Sequence, residues 1–457
     1  MNQPDLRLQY ALPVFGITFI DTPEGREVVL LFSATVDGER REVALLHAPI
    51  ELFGLPSRDV CELEEMPEGP FQLPDFLAPA IESAIESTVP PDSPIWIEFT
   101  EPSGVLTAVP WEMLFAPFGR PVLRLPVQSI MPQTPSDSLD AVICFSSPMA
   151  KELLPEQLVQ MFIEQIPPDL ARVVTFHLFA DAAVQPLLQS VRSRFSEEFR
   201  IKIYDPGQAP EMKRTSRPEN ISDSIENPWL LWMRDSLRGQ TADVVHFLCH
   251  GYVRRGHGGL ALAESPVRNV ARNYATFIFA GELCAFLNDV GAWSAAFTSP
   301  PGNQSPAGLR LLQYDLAQLR PGPVLLHDME TAAPSDLGKT YRFLYTREPQ
   351  PPVRSPGISL YVHPHNTISA TLETDESSTR ILHDFTLTGK IRTVKQSQWV
   401  ASSQRILEQA AVRLNSASET TSDEVQLGAG TALRWVADLI AKHAAADEKS
   451  GEKKEDA

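Results

Sequence analysis

Between Asp140 and Tyr345 the sequence alternates between short apolar runs and segments with helical periodicity, and this alternation constrains the fold more than any other feature. Strands separated by helices are joined by crossover connections, which place the strands parallel in one sheet. We therefore expect an α/β fold with a mostly parallel sheet flanked by helices. The predicted strands are 141–145, 173–178, 201–204, 244–248, 293–297 and 323–326. The predicted helices are 152–165, 183–195, 229–238, 280–287, 306–319 and 336–345.

The sequence on either side of this core follows other patterns. Over 1–75, apolar stretches at 15–20, 27–35 and 42–46 are separated by turn-forming residues, which predicts a β-rich segment of antiparallel strands. A proline-rich stretch at 348–352 predicts a boundary after a core domain of 76–347.

The region after that boundary predicts a further module. Over 355–445, strand-like runs that begin with 358–362 precede helical spacing around Trp399 and Trp435, which is typical of a small α+β module. The charged tail 446–457 has no large apolar residue, so we expect it to be disordered.

The formal net charge of -19 bears on the class of partner. A chain this acidic repels the phosphate backbone of nucleic acids unless its cations cluster on one face. The densest basic run, Arg254, Arg255 and His257, is short and is interpreted as a solvated loop. We therefore expect other proteins as partners, with neighbouring genes as one source, and no nucleic acid. The oligomeric state is not indicated.

Other classes of protein are excluded by patterns that the sequence lacks. The four cysteines, Cys61, Cys144, Cys249 and Cys284, are scattered and have no zinc-site spacing. No run of eighteen apolar residues occurs, and the first twenty residues lack the apolar core of a secretion signal. Glycine-rich phosphate-binding motifs are absent. The sequence thus predicts a cytoplasmic protein with reduced thiols, no membrane span, no metal and no cofactor.

The most specific stretch is 242–251, a buried-strand pattern that ends in His250 and Gly251. In a parallel sheet such a strand delivers its last side chain to the carboxyl edge, where ligands and catalytic groups collect. Glycine directly after the histidine permits the sharp turn that presents the imidazole. Taken alone, a histidine at a strand end is more often structural than catalytic.

Several stretches occur in an order that resembles the CHAT family of caspase-like peptidase domains. The segment 109–114, with Pro110, Trp111 and Glu112, resembles the family's Pro-Trp-Glu-Leu-Leu motif, and 141–148 resembles its first strand and Ser-Pro turn. The His250-Gly251 pair, a glycine-leucine strand at 258–262 and the helix and strand of 307–326 follow in the family's order. The resemblance spans 77–345 and implies a caspase-like sheet in which His250 is the catalytic histidine.

Active members of this family carry a nucleophilic cysteine at the end of the next strand, where the histidine activates its thiol. Here Thr298, or Ser299 if the alignment shifts by one residue, occupies that place. A hydroxyl has a much higher pKa than a thiol, and a single histidine activates it poorly. Pro300 and Pro301 also remove backbone amides that would stabilise an oxyanion. We therefore interpret His250, Thr298 and Ser299 as vestigial catalytic residues.

The cysteines are poor substitutes for the missing nucleophile. Cys249 precedes His250 directly, and neighbouring residues of a strand point to opposite faces. Cys284 falls in a predicted helix and Cys144 within the first core strand. Buried free cysteine commonly behaves as a small apolar residue, and we expect that role for each of them.

Two further histidine groups stand out. His363 and His365 flank a proline, and since a third metal ligand is not evident we interpret them as loop histidines. His327 and Asp328 follow a predicted strand. We interpret them as a solvated strand end, with a polar cluster beside His250 as the alternative.

Three functions follow from these patterns. The first is a CHAT-domain pseudoenzyme, a catalytically impaired peptidase-like scaffold or regulatory subunit in a bacterial signalling or defence assembly, a setting that the resemblance implies. The second is an active caspase-like endopeptidase that uses His250 with Thr298, Ser299 or a non-standard cysteine. The third is a structural subunit in which the cleft has no use.

Overall fold

The structure is a computed structural model that describes residues 6–36, 39–55, 70–128, 138–146, 170, 173–182, 184–195, 200–209, 225–267, 275–301, 305–346, 348 and 350–367. The chain divides into two compact units, and all of these residues belong to the unit that spans Asp5–Thr371. The helix predicted at 152–165, the part of the predicted C-terminal module beyond Thr367 and the tail 446–457 lie outside the described residues.

One large sheet and one small sheet contain the described strands. The strands are β1 (Val14–Thr22), β2 (Gly25–Val36), β3 (Glu39–Pro49), β4 (Ile95–Phe99), β5 (Val122–Arg124), β6 (Ser138–Phe145), β7 (Val173–Ala180), β8 (Arg200–Ile203), β9 (Val244–Leu248), β10 (His250–Arg254), β11 (His257–Ala263), β12 (Ala275–Phe279), β13 (Ser294–Ser299), β14 (Val324–Asp328) and β15 (Ile358–Tyr361). The large sheet has twelve strands in the order β3-β2-β1-β4-β5-β15-β14-β13-β9-β6-β7-β8, and the small sheet has the order β10-β11-β12.

The helices cover both faces of the large sheet. They are α1 (Leu6–Gln9), α2 (Ala78–Thr88), α3 (Trp111–Leu114), α4 (Gln185–Phe195), α5 (Pro228–Leu237), α6 (Ala280–Asp289), α7 (Ser305–Leu319) and α8 (Asp336–Tyr345). One apolar cluster packs α2, α5, α6 and α7 on the first face. A second cluster packs α4 and α8 on the other face.

Most pairings in the large sheet are parallel, and the predicted α/β class with a mostly parallel, helix-flanked sheet is confirmed. From β14 through β13, β9, β6 and β7 to β8 every neighbouring pair is parallel. This follows from the crossover connections, which return the chain to the same edge after each strand. The antiparallel pairs are β1 with β2, β2 with β3, and β14 with β15.

The terminal strands belong to the same sheet as the core. The β-rich segment 1–75 forms β1, β2 and β3, and β1 pairs in parallel with β4 of the core. The strand predicted at 358–362 is β15, which lies between β14 and β5 near the centre of the sheet. Neither the boundary at residue 75 nor the proline-rich stretch at 348–352 coincides with a break in the sheet.

The small sheet was predicted only in part. Of its three strands, β11 alone corresponds to a strand expected from the sequence, the glycine-leucine strand at 258–262. β10 follows β9 after the single residue Cys249, so the two strands read as one run that ends in a turn. The basic run at 254–257 is the two-residue hairpin turn between β10 and β11, since Arg254 pairs with His257.

The small sheet packs on α7 through glycines. A side-chain carbon on Gly258 would collide with the carbonyl of Gly308 and the amide of Leu312, and one on Gly251 would collide with the carbonyl of Ser305. Backbone therefore lies directly on backbone, which only residues without Cβ permit. This contact holds the strand that begins with His250 against the helix that begins with Ser305.

Arg124 joins the two halves of the large sheet. β5 pairs with β15 through one residue pair, Arg124 and Tyr361. The buried guanidinium donates to the Glu112 carboxylate at 2.7 and 3.0 Å and to the carbonyls of Thr107 and Val109 at 3.1 and 3.3 Å. Burial alone would raise the pKa of Glu112, but the adjacent guanidinium outweighs it and holds this pKa below its ordinary value. The glutamate of the Pro-Trp-Glu segment is thus half of a buried ion pair.

Replacing Glu112 with glutamine should destabilise the fold strongly. The variant leaves the buried Arg124 charge without its counter-charge, and breaking such a pair costs about 3–5 kcal/mol. The free energy of unfolding, measured in urea, should fall by that amount. Glu82→Gln, on the exposed face of α2, is the matched control and should change little. Equal stability of the two variants would contradict the role given to this ion pair.

Replacing Gly258 with alanine should separate the small sheet from α7. Overpacking of this kind costs about 1–3 kcal/mol, because the colliding atoms are backbone and cannot rotate away. Gly281→Ala is the matched control, since an added carbon there meets no atom within 4 Å. It should leave stability unchanged or raise it by up to about 1 kcal/mol. Thermal unfolding of both variants checks the prediction, and a neutral Gly258→Ala would refute it.

Candidate functional site

The candidate site residues lie at the carboxyl edge of neighbouring parallel strands. In the sheet register Thr298 of β13 is level with Leu248 of β9 and with His327 of β14. His250 and Gly251, which begin β10, therefore follow β9 at the same edge where Thr298 and Ser299 end β13; the sharp turn predicted at this glycine is absent, and the position is instead in contact with α7. The sequence places these residues at one edge, but it does not show which face of the sheet each side chain uses.

Thr298 and Ser299 point to opposite faces of the sheet, as alternation in a strand requires. Thr298 lies on the face covered by α8, where its hydroxyl contacts His246. Ser299 lies on the face covered by α7, where its hydroxyl contacts Ser305. The two alternative alignments of the nucleophile therefore correspond to two separate environments, one on each side of the sheet.

The hydroxyl of Thr298 belongs to a buried network of imidazoles. Its Oγ1 lies 2.7 Å from His246 Nε2 and 3.3 Å from His327 Nδ1. His246 Nδ1 lies 2.7 Å from the Tyr341 hydroxyl, and the two rings stack with centroids 6.0 Å apart. His246 and Tyr341 are wholly buried and Thr298 is 2% exposed. The chain Thr298–His246–Tyr341 satisfies polar groups inside the core, away from water.

Both histidines of this network are neutral at pH 7. Burial lowers the pKa of His246 well below its ordinary value, and the neighbouring His327 adds to that effect. Burial also lowers the pKa of His327 to about 4, although the carboxylates of Asp328 and Asp336 act in the opposite direction. Neutral imidazoles can both donate and accept hydrogen bonds, which is what the Thr298 hydroxyl between them needs.

Ser299 is held by a second set of hydroxyls. It is wholly buried, and its Oγ lies 3.0 Å from Ser305 Oγ and 3.1 Å from the carbonyl of Pro300. The amide of Gly251 donates to the same Ser305 Oγ at 2.7 Å. Ser305 therefore ties the end of β13 to the start of β10.

His250 itself bonds to neither hydroxyl. The residue is half-buried in β10, and its Nε2 has no hydrogen-bond partner within the described part of the chain. Burial lowers the pKa of His250. The Oγ atoms of Thr298 and Ser299 make their hydrogen bonds to other described residues. A nucleophile–base pair with His250 is thus not formed in this structure.

His327 and Asp328 are buried, at 3% and 4% exposure, and the predicted solvated strand end is therefore wrong. Asp328 pairs with Arg310 at 3.4 Å and accepts from the amide of Glu330 at 3.1 Å. His327 contacts Thr298, as described above, and not His250. The structure agrees better with the alternative of a polar cluster, except that the other histidine in this cluster is His246 and not His250.

The other histidines and the cysteines have structural surroundings. His365 donates its amide to His363 Nδ1 at 3.1 Å, and His363 packs edge-on against Tyr10. Within the described residues no group of three or more His, Cys, Asp and Glu is arranged to hold a metal ion. Cys144 and Cys249 are buried and Cys284 is half-buried, and burial raises the pKa of all three thiols. Cys61 lies outside the described residues.

Three residues of the site, His246, Tyr341 and Ser305, were not predicted from the sequence. His246 occurs in the middle of an apolar strand, where the sequence signal is a single polar residue on the α8 face. Its partners are 52 and 95 residues away, so only the strand register and the packing of α8 identify them. Ser305 begins α7 and gives no signal of its own.

Comparison with known proteins gives no assignment. No protein-family model matches this sequence. No curated protein matches it either. In the part of the chain that the structure describes, no helix is both long and apolar enough to cross a membrane.

The buried imidazoles should make stability depend on pH. A histidine with a lowered pKa in the folded state binds its proton mainly after unfolding, so its contribution is complete above the unfolded pKa of 6.5. That contribution is lost as the pH falls toward about 4, and for His327 the drop in pKa from 6.5 to about 4 corresponds to roughly 3 kcal/mol. Urea unfolding between pH 7 and pH 4 checks this.

The control distinguishes these histidines from those on the surface. His327→Gln should flatten the pH dependence, whereas His257→Gln should preserve it, because the His257 side chain is 72% exposed and meets water in both states. A profile with the same slope in both variants would rule out His327 as its cause.

Proposed function

We propose that this chain is a catalytically impaired protein of the CHAT type, a peptidase-like scaffold or regulatory subunit that acts by binding other proteins. The order of its motifs and the α/β sheet with His250 at the carboxyl edge support the comparison with that family. One observation carries the proposal. The two hydroxyls that stand in the place of the nucleophile are buried and hydrogen-bonded to groups other than His250.

Thr298 lacks the access that a nucleophile needs. A substrate carbonyl has to approach within about 3–3.5 Å of the attacking atom. The Thr298 hydroxyl is surrounded by His246, His327 and the covering helix α8, and the residue is 2% exposed. Its partner His246 is wholly buried as well. Thr298, His246 and Tyr341 follow the order of a nucleophile, a base and an orienting hydroxyl, but all three lie inside the core.

Ser299 is equally enclosed on the other face. Its hydroxyl is engaged by Ser305 and the Pro300 carbonyl, neither of which is a base able to take its proton. Pro300 and Pro301, which follow directly, have no amide hydrogen to offer an oxyanion. Both the activation of the hydroxyl and the stabilisation of the intermediate are therefore unsupported at this position.

The described cysteines do not replace the missing nucleophile. The reactive form of cysteine is the thiolate, and burial raises the pKa of Cys144, Cys249 and Cys284. Cys249 packs in the apolar cluster on the α7 face, away from solvent. A thiol of this kind contributes packing and very little thiolate at pH 7.

The alternative is an active endopeptidase, and one observation favours it. The buried Nε2 of His250 has no hydrogen-bond partner among the described residues, so it is available to a hydroxyl or thiol that moves toward it. Catalytic hydrogen bonds are often incomplete before substrate binds. The scaffold is preferred because the enzyme would require Thr298 or Ser299 to break its present hydrogen bonds and reach solvent.

Proteolysis by the full chain decides between the two functions. Wild type and His250→Ala are incubated with a peptide library derived from a bacterial proteome, and new peptide termini are identified by mass spectrometry. We expect the same background in both samples. Cleavage by wild type that disappears in His250→Ala would establish the enzyme and overturn the proposal.

Two controls keep this comparison clean. His257→Ala removes an exposed histidine from the same hairpin and should behave as wild type. Thermal unfolding of each variant shows that a lost activity is not a lost fold.

Alkylation with iodoacetamide tests the cysteines separately. At pH 7 it should leave Cys144 and Cys249 unmodified until the chain is unfolded, and rapid labelling of either would support the alternative in which a cysteine is the nucleophile.

A further inference from the structure

The small sheet presents an outer face to solvent. Its inner face packs on α7 through Gly251, Gly258 and Leu260, so alternation places His250, Tyr252 and Arg254 of β10 on the other side. The strand pairings add Gly259 and Ala261 of β11 and Phe277 and Phe279 of β12 to that side. We call this set of residues the outer face.

An exposed pair of aromatic rings lies on the outer face. Tyr252 and Phe277 are 39% and 38% exposed, and their rings stack with centroids 4.1 Å apart. They lie on neighbouring rows above the small residues Gly259 and Ala261, which are both buried. Exposed aromatic side chains that stack on a flat, small-residue floor are typical of protein-recognition surfaces, in which tyrosine and phenylalanine are enriched.

Two cations border this aromatic pair. Arg254 and Arg255 are exposed, and neither forms an ion pair with any described residue. On α7, Asp315 lies 3.6 Å from His257, the first residue of β11. In a chain of net charge -19, two arginines that pair with no described acidic residue and lie beside an apolar surface favour an acidic ligand.

The backbone of the turn is strained at one of these arginines. Arg255 has φ of 49° and Gly256 has φ of 76°, so both central residues of the two-residue turn are left-handed. Glycine, asparagine and aspartate are the usual residues at such positions, because a longer side chain is disfavoured there. Strain of this kind is commonly retained where the residue serves function.

We propose that the outer face docks an extended acidic segment of a partner protein, whose apolar or aromatic residue packs on Tyr252 and Phe277 while its carboxylates pair with Arg254 and Arg255. This inference rests on the proposed binding function and gives it a surface and a class of partner. A short acidic segment adds few negative charges, whereas a second copy of the chain adds -19 and a nucleic acid adds one per phosphate, so the net charge of the chain disfavours both of these occupants far more.

Fluorescence anisotropy with the full chain tests the docking surface. The probes are fluorescein-labelled peptides in which glutamate and aspartate flank tyrosine, phenylalanine or valine, and a matched set in which lysine replaces each acidic residue. We expect the acidic set to bind about tenfold more tightly than the basic set, with an affinity that falls as salt rises.

Paired substitutions locate the bound peptide. Tyr252→Thr with Phe277→Thr keeps residues that favour strands, and Arg254→Glu reverses one charge, and each change should weaken binding about tenfold. The controls are Leu45→Thr, which removes a 64% exposed apolar side chain from β3, and Arg200→Glu, at an exposed position of β8. Both controls should bind as wild type does.

Arg255→Gly separates recognition from folding. Glycine removes the strain of the turn, so the melting temperature should stay the same or rise. Binding of the acidic peptides should nevertheless weaken. A variant that binds as wild type does would show that Arg255 has no part in recognition and would overturn its assignment.

The remaining outcomes are equally decisive. Failure of every acidic peptide to bind, or equal loss in the control variants, overturns the docking surface. Binding of a single-stranded oligothymidylate more tightly than the acidic peptides would also overturn it, as would a dimer on size exclusion that Tyr252→Thr converts to monomer.

Mass spectrometry of the peptides after the assay distinguishes failure of the docking surface from failure of the proposed function. Intact but unbound peptides refute only the docking surface, whereas cleaved peptides refute the non-catalytic function and leave the surface in place.

Discussion

The two halves of the large sheet depend on Arg124. β5 and β15 share one residue pair, and Arg124 belongs to it, so backbone pairing alone connects the halves weakly. The buried guanidinium adds hydrogen bonds to Glu112 and to two backbone carbonyls, and its charge lies 5.3 and 5.6 Å from the rings of Phe99 and Tyr361. A charge buried this deeply is tolerated only because each of these groups is in place. The short helix that carries Glu112 is thereby fixed to the centre of the sheet.

The same rule, that buried polar groups must be paired, governs the candidate site. On one face Thr298 is satisfied by His246 and His327, and on the other Ser299 is satisfied by Ser305. Hydroxyls that serve the interior in this way are well placed for packing and poorly placed for attack on a substrate. His250 differs from both hydroxyls, because one of its ring nitrogens is buried and has no hydrogen-bond partner among the described residues.

Periodicity predicted the elements of the core closely. The bounds of β9 and α8 coincide with the predicted ones, because one is a buried apolar run and the other a strongly amphipathic helix with clear ends. The parallel order also followed, since crossover helices leave few alternatives. β10 and β12 escaped prediction because their stability comes from packing on α7 and on β11 and leaves little pattern in sequence. The position of β15 between β5 and β14 likewise depends on pairing across more than two hundred residues, as between Arg124 and Tyr361.

The sequence by itself determined the α/β class, the strands that end at the carboxyl edge and the residue types found there, because these follow from local apolar periodicity and from strand direction. It also determined that two hydroxyl residues, Thr298 and Ser299, follow one another at the end of one of these strands. Only the tertiary structure decided that Thr298 and Ser299 face opposite sides of the sheet, that His246 is the histidine within reach of Thr298, and that His327 and Asp328 are buried. Such facts depend on register and on which helix covers each face, and both are set by contacts between residues far apart in the chain.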